Sequence, residues 1–185
     1  LAVMLDETVE HGPVEALFTV DEETGLTGAF ELGEGMLTGK YLVNLDSEDE
    51  GEIFIGCAGG IDTIATFHYT MEPSPKNYTF FRVDVSDLQG GHSGDDIDKG
   101  RVNSNKTVAR LLWDGMQSFE LKLCYFNGGN LRNAIPREAY AIFGVPVRFK
   151  EEFVKRYNLF AADLEAEFRF REPNFKITLN EMPHV

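Results

Sequence analysis

The sequence predicts two parts: an α/β portion over residues 1–60, then an α+β portion over residues 61–185 in which a β-sheet carries helices on one face. Three observations predict this. Short apolar runs in the first part end on acidic or glycine-rich clusters, as strands of an open α/β sheet do. From about Ile61 the apolar runs lengthen. They then alternate with two stretches of helical spacing, in the order β-β-α-β-β-α-β.

The first residues read as the end of a helix, followed by a turn at His11-Gly12-Pro13. Val14 to Val20 is rich in strand formers and suits a buried strand. Asp21-Glu22-Glu23-Thr24-Gly25 closes it, and Gly28 to Leu32 suits a short helix. Tyr41 to Leu45 is a second strand ending on Asp46. Glu52 to Cys57 is a third, closed by Ala58-Gly59-Gly60. In the second part, Ile64 to Met71 and Tyr78 to Leu88 read as strands around a turn at Glu72 to Lys76. Gly90 to Gly94 is a loop. Lys99 to Met116 has helical spacing, with Val102, Val108, Leu111 and Leu112 apolar. Phe119 to Phe126 and Ala134 to Val145 are strands flanking Asn127-Gly128-Gly129. Glu151 to Phe170 is amphipathic, and Phe175 to Leu179 is a last strand.

Hydrophobic residues make up 43% of the 185, with 15 Phe, which argues for a packed core and against disorder. The net charge of −14 and the lack of a basic stripe argue against nucleic acid as a partner. No apolar run approaches the roughly 20 residues of a membrane helix. Leu1 to Leu5 lacks the basic residues of a secretory leader, so a cytoplasmic protein is expected. Two cysteines, Cys57 and Cys124, make no disulfide framework, and their apolar surroundings point to core packing. The chain starts with Leu inside a helix-like stretch, which reads as a piece of a longer protein.

Four places carry candidate chemistry. Glu22 and Glu23 stand beyond the end of a strand, where open α/β sheets bind ligands, and Asp46 ends another. One of two adjacent carboxylates can hold a metal while its neighbour acts as general base; an acidic pair facing solvent has the same spacing. Asp46 to Gly51 alternates acids like a calcium loop, but its twelfth position is Cys57 rather than Glu, which excludes calcium and leaves a solvated acidic turn. His92 lies in Gly90-Gly91-His92-Ser93-Gly94. This is not a phosphate loop, since no Lys-Ser/Thr follows. Its glycines allow close backbone approach to a ligand. The run from Asn130 to Arg137 holds two Asn and two Arg, which could bind a substrate carboxylate or simply cap a turn.

Together, FTVDEETGLTGA, LVNLDSEDEGEIFIGCAGGID, LQGGHSGDDIDKGRVNSNK and FNGGNLRNAIPREA resemble consecutive stretches of the aminoacyl-histidine (Xaa-His) dipeptidases. These are also called cytosol non-specific dipeptidases and belong to the M20 metallopeptidases. The resemblance covers about residues 1–145. It implies that residues 1–60 are part of a catalytic domain and residues 61–185 part of a lid or dimerisation domain. It implies hydrolysis of Xaa-His and other dipeptides by a metal-activated water at two zinc ions, with manganese or cobalt as alternatives, and a homodimer as the assembly. Glu22 then matches the general base, Glu23 and Asp46 match metal ligands, His92 matches the lid residue that stabilises the tetrahedral intermediate, and Asn133 matches a residue that holds the substrate. The family's upstream His-x-Asp segment, its bridging Asp and its C-terminal ligand His have no counterpart here; His11 and His184 do not sit in matching contexts. The expectation is therefore a chain that is inactive alone. A deacylase of N-acyl amino acids from the same family, or a non-catalytic binding or dimerisation module, remains the alternative.

Overall fold

A β-strand points every backbone N–H and C=O sideways, alternate residues toward opposite edges, and each needs a neighbour or water. That requirement separates what forms in this chain from what does not. The computed structural model describes residues 2–46, 50–57 and 59–183. Parts of the acidic turn (Ser47 to Asp49), Ala58 and His184 lie outside them. The chain divides into two units, Leu1–Gly60 and Ile61–Val185.

The described residues of the first unit form three single-turn helices, α1 (Ala2–Leu5), α2 (Glu22–Gly25) and α3 (Thr27–Phe30), and no strand. The strands expected at Val14–Val20, Tyr41–Leu45 and Glu52–Cys57 are not formed. The strand expected at Ile64–Met71, in the second unit, is also absent. None of these runs pairs as a strand among the described residues, and no described residue of the first unit is buried. Their side chains stand in solvent: Tyr41 is 92% exposed and Ile55 is fully exposed. Cys57 is exposed with them, against the expected core packing, and Cys124 is only partly buried, its thiol pushed up by that burial.

The second unit builds β1 (Tyr78–Ser86), β2 (Gly91–His92), α4 (Ser104–Phe119), β3 (Lys122–Gly128), β4 (Ala134–Ile135), β5 (Ala139–Pro146), α5 (Lys150–Phe168) and β6 (Lys176–Met182). A four-stranded sheet runs β3-β5-β1-β6 with every pair antiparallel, and β2 pairs β4 separately. The expected strand Ala134–Val145 is therefore two strands. Pro136 and Arg137 interrupt it, and its first residues pair elsewhere. The helix begins later than its apolar spacing suggests. Gly100 takes a left-handed φ of 66°, and the Asn103 side chain caps α4 by accepting the Lys106 N–H at 3.1 Å.

One sheet face is apolar. The register sets Phe81 opposite Phe143, Val83 opposite Ala141 and Leu179, and Val85 opposite Ala139 and Ile177. Val108, Leu111 and Leu112 of α4 and Phe153, Leu164 and Phe168 of α5 join the same core. Phe153 is central: its ring lies 5.6 Å from Phe81, 5.6 Å from Phe119 and 5.4 Å from Phe143. Tyr157 packs beside it, and burial pushes its phenol up to about 12. Helices on one face of an antiparallel sheet are what the sequence predicts for this unit.

Candidate functional site

The polar loops gather where β1 ends and β5 begins, around the Val85–Ala139 pair. β2 and β4 form a two-residue ladder there, with Gly91 opposite Ile135 and His92 opposite Ala134. The Ser93 N–H also donates to the Asn133 carbonyl at 2.8 Å. This ladder brings together two of the residues singled out from the sequence, His92 and Asn133.

The His92 loop is fastened from within. The His92 N–H donates to Asp96 Oδ2 at 2.7 Å, and the Lys99 ammonium donates to Asp96 Oδ1 at 2.7 Å. The Lys99 hydrogen bond, and then the His92 N–H, hold the Asp96 carboxyl below its ordinary range. His92 Nδ1 accepts the backbone N–H of Gly94 at 3.1 Å and of Asp95 at 3.2 Å. A nitrogen that accepts carries no proton, so the neutral ring keeps its hydrogen on Nε2. The imidazole is half exposed, and Nε2–H is left as a donor. Gly91 is required here: its φ is 151°, and a Cβ built on it would lie 2.4 Å from Asp96 Oδ2.

Beside the ladder, the face of the sheet opposite the core is polar. Arg82 pairs with Asp84 at 2.6 Å, which raises the guanidinium above its ordinary value, and Arg82 lies 3.9 Å over the Tyr140 ring. Tyr140 stacks on Tyr125 at 5.6 Å. Arg82, Asn127, Asn130, Ala134, Arg137 and Tyr140 are among the residues lining a groove of about 760 Å³. Arg132, from the same turn as Asn133, pairs with Asp62 at 2.6 Å; both are exposed, so the pair adds little stability.

Glu22, Glu23 and Asp46 lie in the first unit. Glu22 and Glu23 are successive residues of α2, rather than sitting at a strand end, and all three acids are exposed. Both residues flanking α2 are left-handed: Asp21 at φ 58° and Leu26 at φ 57°. Such a backbone is strained for a residue as bulky as Leu, and strain of this kind clusters at working sites. The turn is closed by the Leu26 N–H donating to the Asp21 carbonyl at 2.7 Å. Among the described residues no group of three or more His, Cys, Asp or Glu comes together to hold a metal ion. Carboxylates are suitable zinc donors, but Glu23 and Asp46 do not make a metal centre by themselves.

Arg137, from the run singled out in the sequence, donates its Nε–H to the Leu88 carbonyl at 2.9 Å. Two residues with visible roles at the loop were not singled out from the sequence. Asp96 is the first. The second is Glu172, only 2% exposed, whose carboxylate accepts the N–H of Gln89 at 2.7 Å and of Val102 at 3.1 Å.

An antiparallel sheet with both helices on one face, and with paired loops carrying a histidine and an asparagine where β1 ends and β5 begins, defines a class: a small α+β domain with a cluster of polar loop residues beside a groove. Residues 75–175 match the peptidase dimerisation domain, and the chain belongs to that M20 family. Among curated proteins it is 42% identical over 182 residues to the cytosol non-specific dipeptidase of Escherichia coli (strain K12), covering 98% of this chain and 38% of that protein. An uncharacterized protein of Bacillus subtilis (strain 168) is 41% identical over 56 residues, 30% of this chain and 15% of that one. Among solved structures, the aminoacylhistidine dipeptidase of Vibrio alginolyticus superposes with a TM-score of 0.78 at 41% identity, covering 100% of this chain and 38% of that one. The chain thus spans under two-fifths of the length of the two dipeptidases.

Proposed function

We propose that this chain is part of a metal-dependent dipeptidase, with residues 61–185 serving as its lid and dimerisation domain and residues 1–60 contributing to its catalytic domain. The observation that carries this reading is the fastening of His92. Its Nδ1 is occupied by two backbone N–H groups, its Nε2–H is left to donate, and Asn133 stands one ladder position away. A preorganised donor of this kind stabilises an oxygen that gains negative charge as a peptide carbonyl is attacked. The identity to the Escherichia coli dipeptidase supports the same reading.

In this proposal His92 donates to the developing oxyanion and Asn133 holds the dipeptide. Glu22 accepts the proton of the attacking water and returns it to the leaving amine. Glu23 and Asp46 are ligands of a metal centre that is completed by donors beyond those described here; zinc is the metal proposed, with manganese or cobalt as alternatives. The proposed assembly is a homodimer in the cytoplasm, in keeping with the family's dimerisation domain and the name of the Escherichia coli relative. Among the described residues no helix is long and apolar enough to cross a membrane.

The test uses the complete protein with a panel of Xaa-His dipeptides and N-acyl amino acids. Dipeptides are expected to be the faster substrates; faster turnover of the N-acyl compounds would overturn the reading. Glu22→Gln should keep bound metal and lower kcat by about 10²–10⁴-fold. Glu23→Gln and Asp46→Asn should lose metal. The reverse pattern for Glu22 and Glu23 would exchange their roles.

A further inference from the structure

The loop that carries His92 begins after Gln89 and ends before Val102. A single side chain holds both ends. Glu172 Oε2 accepts the Gln89 N–H at 2.7 Å, and Oε1 accepts the Val102 N–H at 3.1 Å. The carboxylate is buried, with the residue 2% exposed. Its own backbone is fixed: the Glu172 N–H donates to the Phe168 carbonyl at 2.8 Å, and its carbonyl accepts from Phe175 at 3.0 Å. Phe168 and Phe175 stack edge-on at 5.2 Å at the rim of the core. The clamp is therefore tied to the end of α5 and the start of β6. Two further ties run alongside. The Gln89 side chain donates to the Arg171 carbonyl, and Arg137 donates to Leu88 at 2.9 Å.

We propose that Glu172 is a positioning residue for His92: its buried carboxylate closes the neck of the loop 90–101 and so sets where the imidazole stands. This rests on the reading of His92 as a donor to substrate. Without the clamp, two inward-facing N–H groups lose their acceptor, and a buried orphan donor is rarely tolerated. The loop ends would separate to reach water. The inner ties from Asp96 to His92 and from Gly94 and Asp95 to Nδ1 would then hold the ring to its own loop but no longer to the sheet. Glutamate suits the task because both of its oxygens accept. Glutamine of the same size offers one acceptor and turns an N–H₂ against the other donor.

Amide hydrogen exchange on the 185-residue chain tests the clamp without any catalytic readout. Glu172→Gln should speed exchange at Gln89 and Val102 and also at Ser93, the neighbour of His92 whose N–H ties the loop to the Asn133 carbonyl, while the β1–β5 ladder keeps its protection. Faster exchange at Gln89 and Val102 alone would overturn the proposal, since the clamp would then not reach His92. Kinetics of the complete protein supply the second test. Glu172→Gln should lower kcat by up to about 10²-fold, the cost of an ångström-scale misplacement, with KM changed less than about twofold. On a His92→Ala background the same substitution should do almost nothing further. Multiplying effects would sink the idea of action through His92. A silent His92→Ala would instead remove the reading beneath it, and the exchange data would still report on the clamp.

Discussion

Gly91→Ala should loosen the His92 loop without unfolding the domain. Gly91 sits at φ 151°, a backbone that an L side chain rarely adopts. Forcing alanine there costs about 1–3 kcal/mol. The new Cβ would also lie 2.4 Å from Asp96 Oδ2 and 2.8 Å from Asp96 Cγ, inside the 3.0 Å at which something has to shift. Asp96 must swing away, and with it goes the acceptor of the His92 N–H at 2.7 Å. The strain alone corresponds to a fivefold to roughly 150-fold rise in the opening equilibrium of the loop, at about 1.4 kcal/mol per factor of ten. Loss of the Asp96 tie adds to it. Amide exchange at His92 and Asp96 reads this directly: their protection should fall at least fivefold or vanish, while Val83 and Ala141 in the sheet stay protected. Protection at His92 unchanged within about twofold would refute the account of the loop.

Phe153→Ala should cost about 3–5 kcal/mol, toward the upper end because three aromatic neighbours lose their partner. Urea unfolding followed by far-ultraviolet circular dichroism checks it, with the 69%-exposed Trp113→Ala as a control expected within about 0.5 kcal/mol. The Asp96 fastening should depend on pH in one direction only. Its folded pKa is depressed, so the tie is fully present above the ordinary value of 3.8 and is lost as pH falls through the lower folded value. Exchange at His92, corrected for its intrinsic pH dependence, should therefore accelerate only below about that pH, and Asp96→Asn should abolish the step. The 185-residue chain alone, assayed with excess zinc and Xaa-His dipeptides, should show no turnover approaching about one per second, the low end of ordinary enzymes.

Local signals carried over best. The apolar stripe of α4 and the amphipathic α5 follow from spacing of 3.6 residues, and each is present, with ends displaced by a few residues. Strands depend on partners from elsewhere in the chain, and Val14–Val20, Tyr41–Leu45, Glu52–Cys57 and Ile64–Met71 find none among the described residues. The site divides in the same way. His92 could be singled out by its flanking glycines and Asn133 by its turn, yet their adjacency comes from the register of β2 on β4, which no spacing encodes. Glu172 gave no signal at all. An acid just past a helix looks solvated, and the two N–H groups it accepts lie 83 and 70 residues away in the chain. Glu22, Glu23 and Asp46 stood out as acids near apolar runs, but a metal centre needs donors converging in space, and among the described residues three do not converge.

The most direct test of the proposed role of this domain is steady-state kinetics of the complete protein with one good dipeptide, comparing the parent with His92→Ala and measuring bound metal in both. Metal content should be the same. The loss of one oxyanion donor should lower kcat by about 10²–10³-fold, roughly 2.7–4 kcal/mol, with a smaller change in KM. A kcat within about twofold of the parent would mean that His92 is an ordinary loop histidine and that the lid assignment of its donor is wrong.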